Sequence, residues 1–423
     1  MRVGQCAVVA LVMAAGFSAS AQSDTMPRAV VVQAGAPVPA EPMWDMDVRS
    51  YESQDRVAHY VSMFSGRSRD RIAERLSAGS RYEPMIRAMM KAGGVPEDMY
   101  YLALVESGFN PHAYSRAAAV GMWQFMSSTA RDMGLRVDRW VDERRDPVRS
   151  TTAAAHFIRG LRDQFGSVYL AAAAYNGGPG RVARGLTRYA GDIQAAPGQD
   201  AFFVLAGKDY LRNETRDYVP QLIAAALVGK DPARYGMELH VQPAFAYDSV
   251  LVPGATPLAA IARAASATLA DVSDLNPHLL RGMTPPRESF QVRIPAGSGP
   301  AFDSLFSMVP RADLVATTSI ESKKGDTPAQ VAHAHGIRES VLRTFNPALH
   351  TLKSGRLSPG QALMLPSAAV ALAVLDVPEP SHLRSLTARQ GKGRAKAKSG
   401  AGSKAGARSR VKTASPVKRK STA

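Results

Sequence analysis

The sequence predicts a multidomain protein in which a mainly α-helical domain is followed by two small βααβ modules and a disordered basic tail. Apolar residues recur with helical periodicity between Gly and Pro breaks from residue 51 to residue 235. Two later segments repeat one strand–helix–helix–strand pattern, and the C-terminal stretch is low-complexity sequence. With 423 residues, of which 45% are hydrophobic, the chain can form several packed cores, which excludes a wholly disordered protein.

Residues 1–21 have the pattern of a secretory signal peptide. Arg2 precedes a short apolar run, and small residues ending at Ala21 follow that run. The run is shorter than the roughly 20 residues that cross a bilayer, so we expect no transmembrane anchor. Cys6, the single cysteine, precedes the run, whereas a lipid attachment site would follow it. We therefore expect export with cleavage after Ala21, and a linker over residues 22–42.

The helical part is predicted to consist of a flank (residues 43–92) and a main domain (residues 93–241). Near the start of the main domain, Pro96-Glu97-Asp98 is a helix-start pattern, because Pro and acidic residues favour the first turn. Gly108 is the corresponding stop signal. These two signals predict a short helix between them.

Glu106 is the candidate general acid of this helix. Met99, Leu102, Ala103 and Glu106 are spaced so that they share one helix face, and Glu106 closes an otherwise apolar stripe. Burial of a carboxyl group on such a stripe raises its pKa, and a general acid must be protonated near neutral pH. A surface residue, or a packed partner for an Arg, is the alternative interpretation.

Four motifs follow one another in the main domain. They are Glu106-Ser107-Gly108-Phe109-Asn110-Pro111 with Tyr114-Ser115-Arg116, Gly121-Met122-Trp123-Gln124-Phe125-Met126, Ala173-Ala174-Tyr175-Asn176-Gly177-Gly178, and Glu214-Thr215-Arg216-Asp217-Tyr218-Val219-Pro220. In order and spacing they resemble the lytic transglycosylases of glycoside hydrolase family 23. The resemblance implies a goose-type lysozyme-like fold for residues 93–241.

The resemblance also implies roles for individual residues. Glu106 corresponds to the catalytic glutamate, and Ser115 to a serine that hydrogen-bonds it. The implied substrate-binding residues are Ser115, Gln124, Tyr175, Asn176 and Tyr218. Trp123 stands where the family usually has Met, and we expect that it could stack on a sugar ring. The alternatives are that Trp123 and Tyr175 are core aromatics and that Asn176-Gly177 is a helix C-terminal turn.

The implied reaction is non-hydrolytic cleavage of the β-1,4 bond between N-acetylmuramic acid and N-acetylglucosamine in peptidoglycan, which leaves 1,6-anhydromuramic acid ends. We expect no metal and no other cofactor, since His112, His156 and His240 lack metal-ligand spacing. The main alternative from another class is a non-catalytic peptidoglycan-binding scaffold.

A hydrolase would need a second carboxylate at a defined distance from Glu106. Four aspartates between residues 132 and 146 are available for this role. We expect them instead to form a solvated, salt-bridged surface with neighbouring arginines. The residues concerned are Asp132, Asp138, Asp142, Asp146, Arg136, Arg139, Arg144 and Arg145.

The two repeated segments cover residues 248–297 and 315–367. Gly254 and Gly325 each begin a turn that ends in Thr-Pro, and an Asn-Pro pair and an apolar strand-like segment follow. The pattern resembles the LysM module, which binds the N-acetylglucosamine-containing glycans of peptidoglycan and chitin. The first copy is degenerate, because it lacks the Asp of the second and has one extra residue. Spacer domains that bind nothing are the alternative.

Local signals in the second copy predict where its first helix begins and ends. Thr327 or Asp326 is the expected N-cap, and Pro328 suits the first helical position. Gly336 is expected to stop the helix.

The basic tail is predicted over residues 376–423. Residues 384–423 contain 13 Lys or Arg and no Asp or Glu, so most of the net charge of +16 belongs to this stretch. Such a polycation attracts anionic envelope polymers or is simply solvated. Nucleic acid is not an expected partner, because the protein is exported. The expected location is the periplasm, with peripheral association with the cell wall or membrane left open.

Overall fold

The structure is a computed structural model that describes residues 44–378. The predicted signal peptide, the linker and all but the first residues of the basic tail lie outside the described residues. The helices are α1 (Asp55–Ser65), α2 (Arg69–Ser80), α3 (Glu83–Ala92), α4 (Tyr100–Ser107), α5 (Ser127–Asp132), α6 (Pro147–Phe165), α7 (Val168–Gly177), α8 (Pro179–Arg188), α9 (Ala190–Gln194), α10 (Asp200–Gly207), α11 (Asn213–Lys230), α12 (Leu258–Ala264), α13 (Leu269–Leu275), α14 (Gly299–Ser307), α15 (Pro328–Ala334), α16 (Glu339–Phe345) and α17 (Ala368–Leu372). The strands are β1 (Tyr247–Val252), β2 (Phe290–Pro295), β3 (Thr317–Glu321) and β4 (Ala362–Pro366).

The helical part is built around α11, which packs against α1, α4 and α7. Its apolar residues are almost completely buried, from Val219 to Val228. The long α6 packs on α7 and has clear end signals. The carboxylate of Asp146 accepts the N–H groups of Val148 and Arg149 at its start, and Gly166 ends it in a left-handed conformation with φ of 67°. The prediction of a mainly helical domain is confirmed.

The two repeated segments both have the predicted order of strand, helix, helix and strand. In the first, β1 pairs antiparallel with β2, from Tyr247 opposite Pro295 to Val252 opposite Phe290. In the second, β3 pairs antiparallel with β4. We call these units the first and the second βααβ segment.

The end signals of α15 in the second βααβ segment are confirmed. The hydroxyl of Thr327 accepts the N–H of Gln330, whose side chain in turn accepts the N–H of Thr327, so Thr327 is the N-cap of a capping box. Pro328 occupies the first turn, and Gly336 follows the helix with φ of 66°.

The expectation of a solvated surface over the predicted acidic and basic residues is wrong for four of them. Asp142, Arg144, Arg145 and Asp146 are each no more than 3% exposed. This stretch is covered from two sides. The N–H of Asp142 donates to the carbonyl of His278 in the first βααβ segment, whereas Arg145 donates to the carbonyl of His112 in the helical part. Asp138 does form the expected partly exposed ion pair with Arg136.

Among residues 44–378, no helix is both long and apolar enough to cross a membrane.

Candidate active site

Glu106 lies in the last turn of α4, at the edge of the helical core. The preceding residues Leu102 and Ala103 are fully buried, whereas the side chain of Glu106 is partly exposed. Gly108 ends the helix with φ of 66°, a left-handed conformation that favours glycine. The predicted short helix and its stop signal are thus present, and they place a carboxyl group where the core meets the surface.

The surroundings of Glu106 favour its protonated form. Burial raises the pKa of Glu106 to about 7, and the negative charge of Glu214 acts in the same direction. The hydroxyl of Tyr218 donates a hydrogen bond to Oε1 of Glu106, which opposes the rise by stabilising the carboxylate. A carboxyl group with a pKa near 7 can both give and accept a proton at neutral pH.

Tyr218 and Tyr175 are two tyrosines that lie beside Glu106. Tyr218, on α11, is 4% exposed, and burial followed by the charge of Glu106 raises its pKa well above the ordinary value. The pKa of Tyr175 is raised by burial and then by the charge of Glu106. Both hydroxyl groups therefore stay protonated near neutral pH, and the Tyr175 hydroxyl donates to the carbonyl of Trp123 at 2.7 Å.

Gln124 belongs to a folded-back loop over residues 112–125, which we call the Gln124 loop. Short antiparallel bridges join Tyr114 to Val120 and Val120 to Phe125. Gln124 itself adopts φ of 49°, a left-handed conformation that costs energy in a residue other than glycine. Its side-chain amide donates to the carbonyl of Gly121 at 2.9 Å, so the loop fixes this partly exposed side chain.

Ser115 does not make the expected contact. Its hydroxyl accepts the N–H of Ala119 at 3.0 Å, and among the described residues no hydrogen bond joins it to Glu106. The hydrogen bond to Glu106 comes from Tyr218 instead. Ser115 therefore stabilises the turn of the Gln124 loop, and Tyr218 is the residue that donates a hydrogen bond to the Glu106 carboxyl group.

The expectation that Trp123 could stack on a sugar is wrong. Its side chain is fully buried, and its indole Nε1 donates to the hydroxyl of Thr151 at 3.0 Å. A sugar ring has no access to this face. Trp123 is a core residue whose carbonyl orients Tyr175.

Asn176 lies in the last turn of α7 and links this helix to the start of α11. Its Oδ1 accepts the hydroxyl of Thr215 at 2.8 Å, and its Nδ2 donates to Glu214 at 3.4 Å. Gly177 is the last residue of α7, so the helix-end interpretation of this pair is correct as well. Glu214 and Thr215 belong to the fourth sequence motif, but neither has a predicted role. Their position one turn before Tyr218 was the signal that could have placed them beside the site.

No metal site accompanies these residues within residues 44–378, where groups of three or more His, Cys, Asp or Glu that could hold an ion are absent.

The chain is similar in sequence to proteins that are named as murein or peptidoglycan transglycosylases. Membrane-bound lytic murein transglycosylase D of Escherichia coli (strain K12) is 29% identical over 296 residues, which are 67% of this chain and 63% of that protein. The chain thus spans 63% of the length of this relative. Peptidoglycan transglycosylase gp16 of Escherichia phage T7 is 36% identical over 138 residues, which are 32% of this chain and 10% of that protein.

A solved structure also aligns with part of the chain. It is the 70 kDa soluble lytic transglycosylase of Escherichia coli, with a TM-score of 0.32 and 22% identity over 44% of this chain and 30% of that one. The family comparison is more local: residues 83–194 match the Transglycosylase SLT domain. That range contains Glu106, Gln124, Tyr175 and Asn176, while Tyr218 lies beyond its end.

Proposed function

We propose that this protein is a peptidoglycan lytic transglycosylase with Glu106 as its single acid and base. The observation that carries the proposal is the position of the Glu106 carboxyl group at the edge of the core, where its Oε1 accepts the Tyr218 hydroxyl. Burial there raises the pKa of Glu106 to about 7. The SLT-domain match over residues 83–194 and the murein transglycosylase relatives support the same class of substrate.

In the first step, neutral Glu106 gives its proton to the glycosidic oxygen between the muramic acid and glucosamine units. The bond from C1 of the muramoyl residue to that oxygen breaks, and positive charge develops at C1. A carboxylate remains on Glu106. The Tyr218 hydroxyl stabilises this carboxylate, because it donates to Oε1.

In the second step, the Glu106 carboxylate accepts the proton of the muramoyl C6 hydroxyl as that oxygen attacks C1. The nucleophile and the electrophile belong to one sugar, so the attack has a high effective molarity and needs no water. The product is a 1,6-anhydromuramoyl end, and Glu106 returns to its protonated form. Gln124, Tyr175 and Asn176 are proposed to hold the sugars, and Ser115 to hold the shape of the Gln124 loop.

Hydrolysis is the competing reaction, and Glu214 is the acidic residue that bears on it. Its charge raises the pKa of Glu106, so the two groups lie within electrostatic reach. Glu214 is exposed, however, and it contacts the Asn176 amide. We therefore assign it to the support of Asn176 and not to the activation of water.

The rest of the chain is proposed to retain the enzyme on its substrate. The second βααβ segment (residues 315–367) is proposed to be a LysM module that binds glycan strands and raises the local substrate concentration. The basic tail is proposed to attract anionic envelope polymers, and the signal-peptide pattern supports a periplasmic location. Deletion of residues 384–423 should weaken sacculus binding mainly at low salt.

The assignment of Glu106 is tested by release of soluble fragments from purified sacculi. Glu106→Gln keeps the side-chain shape and removes the titrating group, so it should abolish release and leave sacculus binding largely intact. Glu74→Gln, at an exposed glutamate on α2, is the matched control and should behave as wild type. Undiminished release by Glu106→Gln would reject the site assignment. No release by the wild type, with binding retained, would favour the non-catalytic scaffold.

A further inference from the structure

The two βααβ segments are internally equivalent, and one asparagine in each shows which residues correspond. Oδ1 of Asn276 accepts the N–H of Arg293 at 2.9 Å, and its Nδ2 donates to the carbonyl of Arg293 at 2.7 Å. Asn346 makes the same pair of hydrogen bonds with Met364, each at 2.7 Å. Arg293 on β2 and Met364 on β4 therefore occupy the same position of the repeat.

The two segments differ in what covers them. Residues 276–285, which follow the second helix of the first βααβ segment, are all buried. The corresponding residues 346–355 of the second segment are exposed or half-buried. The Arg293 side chain is 11% exposed, whereas Met364 is 41% exposed. The same surface of the repeat is thus buried in the first segment and exposed to solvent in the second.

Two parts of the chain cover the first segment. One is residues 373–375 after α17, where the N–H of Leu375 donates to the carbonyl of Leu280. The other is residues 136–146 of the helical domain, which we call the bracing strip. The N–H of Asp142 donates to the carbonyl of His278 at 2.9 Å, and the N–H of Leu280 donates to the carbonyl of Trp140 at 3.0 Å. At the end of the strip, Arg293 places Nη2 at 2.9 Å from the carboxylate of buried Asp146. Because a buried charge is costly to leave unpaired, this contact holds the two parts in one arrangement.

The bracing strip in turn holds the Gln124 loop. The carboxylate of Asp142 accepts two hydrogen bonds from Arg144, from Nε and from Nη2, each at 2.8 Å. The remaining nitrogen of that guanidinium, Nη1, donates to the carbonyls of Ala118 at 3.2 Å and Phe125 at 3.1 Å. The loop is therefore fixed on both sides of its turn by an arginine that the strip positions.

We propose that the first βααβ segment is an intramolecular brace for the Gln124 loop and that its buried face binds no glycan. Arg293 is a positioning residue, because it acts through Asp146 and the bracing strip and touches no sugar. The brace pre-organises the left-handed Gln124 for the sugar, and displacement of such a group by about 1 Å lowers turnover strongly. This inference rests on the proposed function, since it assigns the brace to that reaction.

The test uses the full chain with Arg293→Met, which installs at this position the side chain of the second repeat. Hydrogen–deuterium exchange of the backbone amides in residues 112–125 and the rate of fragment release at saturating sacculi are both measured. We expect faster exchange in the loop and a release rate lowered at least about tenfold, with sacculus binding unchanged. Arg293→Lys keeps the positive charge, so its loop exchange and its release rate should lie between those of Arg293→Met and wild type. The matched control, Met364→Ala, should change neither.

If folded Arg293→Met shows the amide exchange of wild type in the Gln124 loop and releases fragments at the wild-type rate, the proposed brace is rejected. If wild-type protein releases nothing, the proposed function fails, and loop exchange alone then decides whether the brace exists. If Arg293→Met does not fold, Glu288→Ala is tested in its place. Glu288 makes an exposed contact with the bracing strip, because Nη1 of Arg136 donates to its Oε1 at 2.5 Å, and the substitution removes this contact. The brace requires that Glu288→Ala speeds exchange in the Gln124 loop, by less than is expected for Arg293→Met, and lowers the rate of fragment release in proportion. If neither exchange nor release changes, the inference is rejected.

Discussion

The raised pKa of Glu106 predicts that this residue destabilises the fold above neutral pH. Burial moves its pKa from the ordinary 4.5 to about 7, so between these pH values the folded protein binds a proton that the unfolded chain has lost. The free energy of unfolding therefore decreases as the pH rises through this window. At about 1.4 kcal/mol per pH unit, the decrease reaches at most about 3 kcal/mol. Partial exposure of the side chain reduces that figure.

Glu106→Gln removes this titration and should make the protein more stable than wild type at alkaline pH. The assay is urea unfolding of both proteins, followed by tryptophan fluorescence, at about pH 4 and about pH 8. The variant should gain about 1 to 3 kcal/mol relative to wild type between the two conditions. Glu74→Gln, at an exposed position, is the control and should show no such gain. The same stability difference between Glu106→Gln and wild type at both pH values would refute the raised pKa.

The rate of fragment release should fall as the pH rises above about 7, because the first step needs protonated Glu106; a rate that keeps rising to about pH 9 would contradict this. Tyr218→Phe removes a hydrogen bond that lowers the pKa of Glu106, so this alkaline fall should move to higher pH; an unchanged or lower midpoint would count against that contact. Gly121→Ala would place a methyl group 1.8 Å from the carbonyl oxygen of Arg144, so thermal unfolding should show a loss of at least about 2 kcal/mol. Gly134→Ala, with a similar φ but open space, should cost less, and equal losses would reject the packing argument.

Local sequence signals predicted the helix ends, the helix faces and the order of elements, because these features depend on residues close together in the chain. The spacing along α4 and the stop at Gly108 placed Glu106 at the edge of the core. The capping pattern at Thr327 and the βααβ order of both repeats were equally readable, because each is fixed within a few residues. These elements are correct in the structure.

Contacts between distant parts of the chain were not predictable from such signals. Tyr218 lies 112 residues after Glu106, and only the family resemblance pointed to it. Asp146 was expected on a solvated surface because its charge and its charged neighbours suggest one. Its partner Arg293 lies 147 residues away, and no local pattern shows that a later module will cover the strip. Local signals likewise left two interpretations of Trp123 open, and its contact with Thr151 of α6 decides for the core aromatic.

Cleavage is proposed to occur without water, and the chemistry of the product ends tests this most directly. Purified sacculi are digested with wild-type protein, and the soluble muropeptides are analysed by mass spectrometry before and after borohydride reduction. We predict fragments lighter by one water than the hydrolysis products, with 1,6-anhydromuramic acid ends that borohydride leaves unchanged. Reducing muramic acid ends that gain hydrogen on treatment would contradict the account and would make Glu214 the candidate second carboxylate of a hydrolase.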